Sequence, residues 1–246
     1  MGFKYIDGLA TPENVDTLLS LFDKVAGARA DSENVFDIED LLSNSPQMQK
    51  CLQAVQRDPA SAMLLAERYL GPELDLDALM EYPKGSLGWT YAKVLSSMKY
   101  DPQFYRKREI NSEIDYITHR VRKTHDIHHI LTGFSFDDFG EFGVVSVLIG
   151  QIQYPAAQVM CLLGSTLSFI SLAPSIGEQE NLEYLFNLIA QGLKISRQAK
   201  PLFPVKFEEG LDRPIEEWRT ELGIEPVRDG LWSWYSRPDL AAAIAQ

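Results

Sequence analysis

Apolar side chains recur at intervals of three and four residues along much of this chain, and this spacing constrains its fold more than any other feature. Such spacing places side chains on one face of an α-helix. Ser86 precedes one such run, and Ser112 with Asp115 precedes another, so both serines are expected to cap helices. No series of short alternating segments joined by hairpin dipeptides is found. The sequence therefore predicts an all-α fold, a single multi-helix domain over residues 1–246.

The charge balance limits the class of partner. Thirty-five acidic residues against 23 Lys and Arg leave a net charge of -12, which opposes attraction to phosphate backbones. We therefore expect no nucleic-acid partner. The first residues contain neither the apolar run of a secretory signal nor an Arg-rich amphipathic presequence. They predict a cytoplasmic protein of bacterial type without a targeting segment.

Residues 142–177 contain no charged side chain. Gln151, Gln153 and Pro155 interrupt the stretch, so it is not expected to form a membrane-spanning helix. Two interpretations stay open: a pair of buried core helices, or helices that line an apolar lipid cavity or face a membrane. Under the second interpretation the candidate lipid contacts are Phe139, Phe142, Tyr154 and Met160.

All four histidines lie between positions 119 and 129. On a helix His125 and His129 are about 40° apart in projection, and Asp126 lies about 60° beyond His129. After the expected helix stop at Gly133, Glu141 adds a carboxylate, while Ser135 or Asp138 is the expected cap of the next helix. Two imidazoles with carboxylates suit zinc, or magnesium if waters complete the shell. The alternative is a histidine pair on a solvated helix face.

The order of these residues resembles a known signature. His125-Asp126-x-x-His129, followed after eleven residues by Glu141, is similar to the motif of the coenzyme Q biosynthesis protein 4 family. The resemblance covers roughly residues 80–226 and leaves residues 227–246 without a counterpart. It is also carried by Pro83-x-Gly85-Ser-Leu-Gly88-x-x-Tyr91, Leu131-x-Gly133, Gly140-Glu141, Lys200-Pro201-Leu-Phe and Pro214-x-Glu216-x-x-Arg219-x-x-Leu222-Gly-Ile224.

This resemblance implies an all-helical protein of quinone synthesis, peripheral to the membrane, that binds a divalent metal. The implied ligands are His125, Asp126, His129 and Glu141. The implied partners are a prenylated quinone precursor and other biosynthetic enzymes, and a homodimer stays open. The implied reaction replaces a ring carboxylate of a polyprenyl-hydroxybenzoate by a hydroxyl. In that reaction Asp126 or Glu141 could move a proton. No dinucleotide or flavin glycine motif indicates an oxidant.

Two other functions stay open. One is a non-catalytic scaffold that presents a lipid to other enzymes and holds a structural metal. The other is a metal phosphohydrolase of the His-Asp doublet kind, which would need a distant further histidine that this chain does not have.

Two smaller patterns also allow alternative interpretations. The basic residues around the histidine helix, Arg106, Arg108, Arg120 and Arg122 among them, form ion pairs with Glu109 and Glu113 on a solvated face, or they contact lipid phosphates. Trp232, Trp234 and Tyr235 either lie at a membrane interface or clasp the carboxy-terminal tail.

Overall fold

The computed structural model of the chain describes residues 11–28, 31–170 and 181–245. Within these ranges the chain forms twelve α-helices and no β-strand, which confirms the all-α prediction. The helices are α1 Pro12–Ala28, α2 Glu33–Leu42, α3 Pro46–Arg57, α4 Pro59–Glu67, α5 Leu76–Met80, α6 Leu87–Met98, α7 Glu113–Thr132, α8 Asp138–Ile152, α9 Pro155–Ile170, α10 Asn181–Gln198, α11 Ile215–Leu222 and α12 Pro238–Ala245.

The starts of α6 and α7 and the end of α7 are those that the sequence predicts. Ser86 caps α6 through a hydrogen bond that its hydroxyl accepts from the backbone N–H of Trp89 at 3.2 Å. Ser112 and Asp115 form a reciprocal capping box at the start of α7. The helix ends at Gly133, whose φ of +85° is a left-handed conformation that glycine adopts readily. These caps define a helix with all four histidines on it.

Helix α7 runs through both hydrophobic clusters that the described residues form. Its first half contributes Ile117 and Val121 to a cluster built mainly with α1 to α4, α8 and α9. Its second half contributes Ile127 and Ile130 to a cluster built with α6, α8, α10 and α11. Because neighbours pack around it along its length, the side chains of α7 have little freedom to reorient.

Helices α8 and α10 approach each other through small residues. A Cβ atom added at Gly192 of α10 would overlap the backbone oxygen of Gly143 in α8. One added at Gly150 would overlap the hydroxyl of Ser196. Since larger residues would push the helices apart, this close contact fixes the position of α8, which carries Glu141 in its first turn.

The uncharged stretch divides between the core and the surface. About half of the residues of α8 are buried, with Val144 and Val147 fully so. At the end of α9, in contrast, Phe169 and Ile170 are each 62% exposed. Residues 171–177 of the stretch lie outside the described residues. Within the described residues, no helix has both the length and the apolarity that crossing a bilayer requires.

The basic residues form ion pairs, but their partners differ from those predicted. Arg106 contacts the carboxylates of Glu33, Asp37 and Asp40, and Arg122 contacts Glu39 at 2.7 Å. Arg120 is not on a solvated face, because it pairs with Glu208 where neither side chain is exposed. The prediction of Glu109 and Glu113 as partners was wrong, since the carboxylates come from segments distant in sequence.

Candidate metal centre

Helix α7 brings His125 and His129 together on one buried face. Their Nε2 atoms are 3.2 Å apart, and their rings meet edge to face with centroids at 4.9 Å. The side chain of His129 is fully buried and that of His125 is 11% exposed. The four-residue spacing therefore points both imidazoles at one place, as the sequence predicts.

Glu141 reaches this place from the first turn of α8. Its Oε1 atom lies 3.2 Å from His129 Nε2, and its Oε2 atom lies 3.1 Å from His125 Nε2. The cap of α8 is Asp137, which accepts hydrogen bonds from the backbone N–H groups of Phe139 and Gly140. The prediction of Ser135 or Asp138 as the cap was wrong, because the hydroxyl of Ser135 donates to Asp137 instead.

The three donor atoms form a nearly equilateral triangle. Its sides are 3.2 Å between the imidazole nitrogens, 3.2 Å from His129 to Glu141 Oε1 and 3.3 Å from His125 to the same oxygen. Tetrahedral zinc ligands at about 2.0 to 2.1 Å from the ion are about 3.3 Å apart. Adjacent ligands of an octahedral magnesium ion would be about 2.9 Å apart. The spacing of these three donors is thus closer to that of tetrahedral zinc ligands than to that of octahedral magnesium ligands, and His125, His129 and Glu141 could hold a metal ion.

The orientation of His129 is set by the turn between α7 and α8. Its Nδ1 atom lies 3.3 Å from the backbone oxygen of Phe134, which can only accept a hydrogen bond. When the ring is neutral, Nδ1 therefore carries the proton and Nε2 is free to bind a metal, whereas in the protonated ring Nε2 donates a hydrogen bond to Glu141. The imidazole also stacks on Phe136 with ring centroids 4.5 Å apart. Such partners hold a metal-binding histidine in the correct tautomer.

Electrostatics couples the three groups. Burial by itself raises the pKa of Glu141, but the neighbouring His125 and His129 hold it well below its ordinary value. Burial likewise disfavours the protonated form of His129, while Glu141 raises the pKa of this histidine above its ordinary value. The side chain of Glu141 is 44% exposed, so the site formed by the three residues is open to solvent beside this carboxylate. An ion could enter there.

Asp126 is buried beside this group without belonging to it. The donor atoms that lie within 4.8 Å of one another come from His125, His129 and Glu141. Burial is the main cause that raises the pKa of Asp126, and the charge of Glu141 acts in the same direction. Its assignment as a ligand stays a prediction. A buried carboxyl with a raised pKa has the properties of a proton donor.

The other two histidines lie elsewhere on α7. His119 is half-buried against Tyr105. His128 is buried, and burial lowers its pKa to about 3. It lines a cavity of about 10 Å³ together with Thr124 and Gln151. Neither histidine points into the metal group.

The four candidate lipid contacts divide between the two hydrophobic clusters. Phe139 and Phe142 pack against the cluster of α6 and α10. Tyr154 and Met160 belong to the other cluster, where the Tyr154 hydroxyl donates to Glu39 at 2.7 Å. Lipid contact by these residues stays a prediction, and the buried polar network around Tyr154 is a role that sequence reasoning missed.

Arg219 is a second residue of the site region that was not recognised as such from sequence. It is 2% exposed, and its guanidinium donates to the backbone oxygens of Ile130 and Leu131 at 2.8 Å each. These carbonyls belong to the last turn of α7, where helical partners are missing. The sequence motif that begins at Pro214 includes Arg219, but it gives no indication that this side chain binds the backbone of α7.

Comparisons with known proteins indicate the family of the chain. Residues 27–228 match the sequence profile of the family described as coenzyme Q (ubiquinone) biosynthesis protein Coq4. The mitochondrial ubiquinone biosynthesis protein COQ4 homolog of Rattus norvegicus is 30% identical over 177 residues, which are 70% of this chain and 63% of that protein. The mitochondrial COQ4 protein of Debaryomyces hansenii is 31% identical over 190 residues, 75% of this chain and 56% of that protein. The chain thus spans less than two thirds of the length of these relatives.

A solved structure has the same fold. A crystal structure from Nostoc punctiforme, of a protein provisionally described as a ubiquinone biosynthesis protein, superposes with a TM-score of 0.75 at 28% identity. The match covers 87% of this chain and 99% of the Nostoc chain. Because the family profile covers most of the sequence and includes the histidine motif, this chain belongs to the coenzyme Q (ubiquinone) biosynthesis protein Coq4 family.

Proposed function

We propose that this chain takes part in ubiquinone biosynthesis by binding a prenylated quinone precursor beside a divalent metal. The observation that carries the proposal is the triangle of donor atoms from His125, His129 and Glu141, with sides of 3.2 to 3.3 Å. Family membership supports the pathway. The triangle supports a metal-dependent role within it.

Zinc is the ion we propose, with magnesium as the alternative. Two neutral imidazoles and one carboxylate are a borderline-soft donor set, whereas magnesium prefers oxygen donors and retains several waters. His129 is buried and its tautomer is fixed by Phe134, which is the second-sphere arrangement typical of zinc sites. Asp126 would join the ligands only if its side chain turned toward the group in its ionised form.

The reaction we propose is the replacement of a ring carboxyl by a hydroxyl. The ring acid, dioxygen, two electrons and two protons give the phenol, CO₂ and water, so dioxygen and a separate two-electron donor are required. When bound, the metal supplies Lewis acidity for an oxygen of the head group. The bond between the ring carbon and the carboxyl carbon breaks as CO₂ leaves.

The residues of the chain would orient the head group and handle protons. His125 and His129 would define where the head group lies, because both rings are largely buried and pack edge to face. Asp126 has a raised pKa and would donate a proton to oxygen that leaves as water. Glu141, with its lowered pKa, stays ionised and would accept a proton only when it is not engaged by the ion.

The prenyl tail would bind to apolar surface. Each buried CH₂ of such a tail contributes about 0.8 kcal/mol, so the tail can supply most of the affinity. Phe139 and Phe142 lie in and next to the first turn of α8, close in sequence to Glu141, and are the nearest of the predicted contacts. The exposed Leu162, Phe169 and Ile170 of α9 support a peripheral contact with the membrane from which such a lipid would come. Contacts with other biosynthetic enzymes belong to the same proposal.

The experiment is a turnover assay on the full chain. Purified protein loaded with zinc is incubated under air with a short-chain prenyl-hydroxybenzoate and a chemical two-electron donor, and the ring product is identified by mass spectrometry. The wild-type protein should release CO₂ and yield the hydroxylated ring, whereas Glu141→Gln should not. Metal and lipid bound without turnover in the wild-type protein would favour the non-catalytic scaffold.

A further inference from the structure

The carboxy-terminal segment, residues 227–237, packs onto the turn that joins α7 to α8. The backbone N–H of Trp234 donates to the backbone oxygen of Gly133 at 3.0 Å, and the backbone N–H of Ser135 donates to the backbone oxygen of Trp232 at 2.6 Å. Between them, Phe134 forms an isolated antiparallel bridge with Ser233. The segment therefore fixes the backbone on both sides of Phe134.

Side chains anchor the segment in place. Trp234 is 1% exposed and belongs to the same cluster as the second half of α7. The Ser233 hydroxyl donates to the oxygen of Val227, whose own N–H donates to the oxygen of Thr132 at 2.8 Å. A Cβ atom at Gly133 would overlap Val227, so the turn and the segment are in direct backbone contact. Ser233 and Trp234 are the buried residues of the segment and anchor it, whereas residues 228–231 are exposed.

A second contact runs from this segment to α8. Arg237 lies 3.0 Å from Asp137 Oδ2. The other carboxylate oxygen of Asp137 accepts the hydrogen bonds that start α8 and one from the Ser135 hydroxyl. Arg237 thus holds the cap of the helix whose first turn carries Glu141.

These contacts converge on two of the three metal-binding side chains. The oxygen of Phe134 accepts the hydrogen bond that sets the tautomer of His129, and Asp137 fixes the start of the helix that presents Glu141. The family profile ends at residue 228, so Trp232, Ser233, Trp234 and Arg237 all lie beyond the matched residues. They were also outside the sequence resemblance.

We infer that the carboxy-terminal segment positions the metal centre, with Arg237 acting as a positioning residue for Glu141 through Asp137. The inference rests on the proposed function, because it presumes that His125, His129 and Glu141 bind a metal. It adds that residues outside the family signature determine how tightly the ion is held. Arg237 touches neither the ion nor a substrate in this account.

The test measures Zn²⁺ affinity and the visible absorption of the Co²⁺-substituted protein in full-length variants. Arg237→Gln removes the charge that contacts Asp137, and Asp137→Asn keeps an oxygen for the cap but removes the charge. Asp239→Asn is the matched control, because it removes the other partner of Arg237, at 3.3 Å, and leaves Asp137 intact. Circular dichroism establishes that each variant is folded.

We expect Arg237→Gln and Asp137→Asn each to weaken Zn²⁺ binding by about three- to tenfold, which is at or below the lower limit of the effect of direct outer-sphere partners, because both residues act through the helix start. The double variant should lose no more Zn²⁺ affinity than the single variant that binds Zn²⁺ less tightly, because both substitutions act through one contact. Arg237→Lys should recover most of the affinity and the Co²⁺ spectrum. Asp239→Asn should bind as the wild type does.

Failure of the inference can be distinguished from failure of the proposed function. If the wild type binds Zn²⁺ and Arg237→Gln binds it equally with an unchanged Co²⁺ spectrum, the inference is overturned while the metal site stands. If the wild type binds no metal, the proposed function fails and the inference fails with it. Additive losses in the double variant would also overturn it, since they would mean that Arg237 does not act through Asp137.

Discussion

The Nε2 atoms of His125 and His129 face each other at 3.2 Å. A proton on either nitrogen can be accepted by the other imidazole or by Glu141, which lies 3.1 Å from His125 Nε2 and 3.2 Å from His129 Nε2, and a cation bound by the three groups would take its place. Phe134 already holds the proton of His129 on Nδ1 when the ring is neutral. This geometry makes the proton and the metal ion competitors for one position.

Metal binding should therefore release protons and strengthen as the pH rises. Because Glu141 raises the pKa of His129, the metal-free site retains its proton to a higher pH than an ordinary histidine would. We expect Zn²⁺ affinity to rise by up to about tenfold per pH unit for each proton displaced, and to level off once the site is deprotonated. Calorimetric titration in two buffers of different ionisation enthalpy counts the protons. An affinity that is constant from pH 5 to 8 would contradict the competition.

Glycine at position 140 should be essential for the turn that carries the site. A Cβ atom there would overlap the backbone oxygen of Ser135, which has no room to move. We expect Gly140→Ala to lower the free energy of unfolding by about 1–3 kcal/mol, the usual range for overpacking, and to weaken metal binding. The control is Gly164→Ala, where the added methyl meets only the ring edge of Phe142 at 3.0 Å. Urea denaturation should show little or no loss for the control.

Removing the charge of only one partner of the Arg120–Glu208 ion pair should strongly lower the free energy of unfolding. Neither side chain is exposed, and Arg120 also donates to the backbone oxygen of Val205. Glu208→Gln leaves a buried guanidinium without its counter-charge, so we expect a loss of about 3–5 kcal/mol in the free energy of unfolding. Replacing both residues, as in Arg120→Met with Glu208→Leu, should cost less than Glu208→Gln alone. The exposed pair of Lys107 and Glu73 is the control, and Lys107→Ala should cost less than about 1 kcal/mol.

His119 should make the protein less stable in acid. Burial, with Lys123 and Arg120 nearby, lowers its pKa below the ordinary value of 6.5. The unfolded chain then takes up a proton at a higher pH than the folded chain, so the free energy of unfolding falls as the pH drops below about 6.5. His119→Phe keeps a ring against Tyr105 and removes the titration. Its stability should fall less steeply between pH 6.5 and 5 than that of the wild type, and parallel curves would refute this role for His119.

The all-α fold and the grouping of His125, His129 and Glu141 were largely predictable because both depend on local spacing. The serines that cap α6 and α7 lie just before their apolar runs, and His125 and His129 are four residues apart on one helix. Glu141 was recognisable because only a short turn separates it from that helix. Each of these relationships spans fewer than about twenty residues, over which helix geometry and turn chemistry determine position.

What the sequence did not reveal depends on contacts between distant segments. The hydrogen bond from His129 to Phe134 involves a backbone atom, which every residue has and no pattern marks. Arg237 meets Asp137 across 100 residues, and Arg120 meets Glu208 across 88. Asp126 shows the reverse case, because its place in the motif suggested a ligand whereas the structure gathers only the other three donors into one group.

The most direct measurement of the central claim is the metal content of the folded full-length protein and its variants. Inductively coupled plasma mass spectrometry should find one zinc ion per chain in the wild type, and less than a tenth of that in His125→Ala, His129→Ala and Glu141→Ala. His119→Ala, a histidine on the same helix outside the group, should retain the full amount. Undiminished zinc in a folded His129→Ala or Glu141→Ala protein would contradict the account, because the three donors would then not be the ligands of the ion.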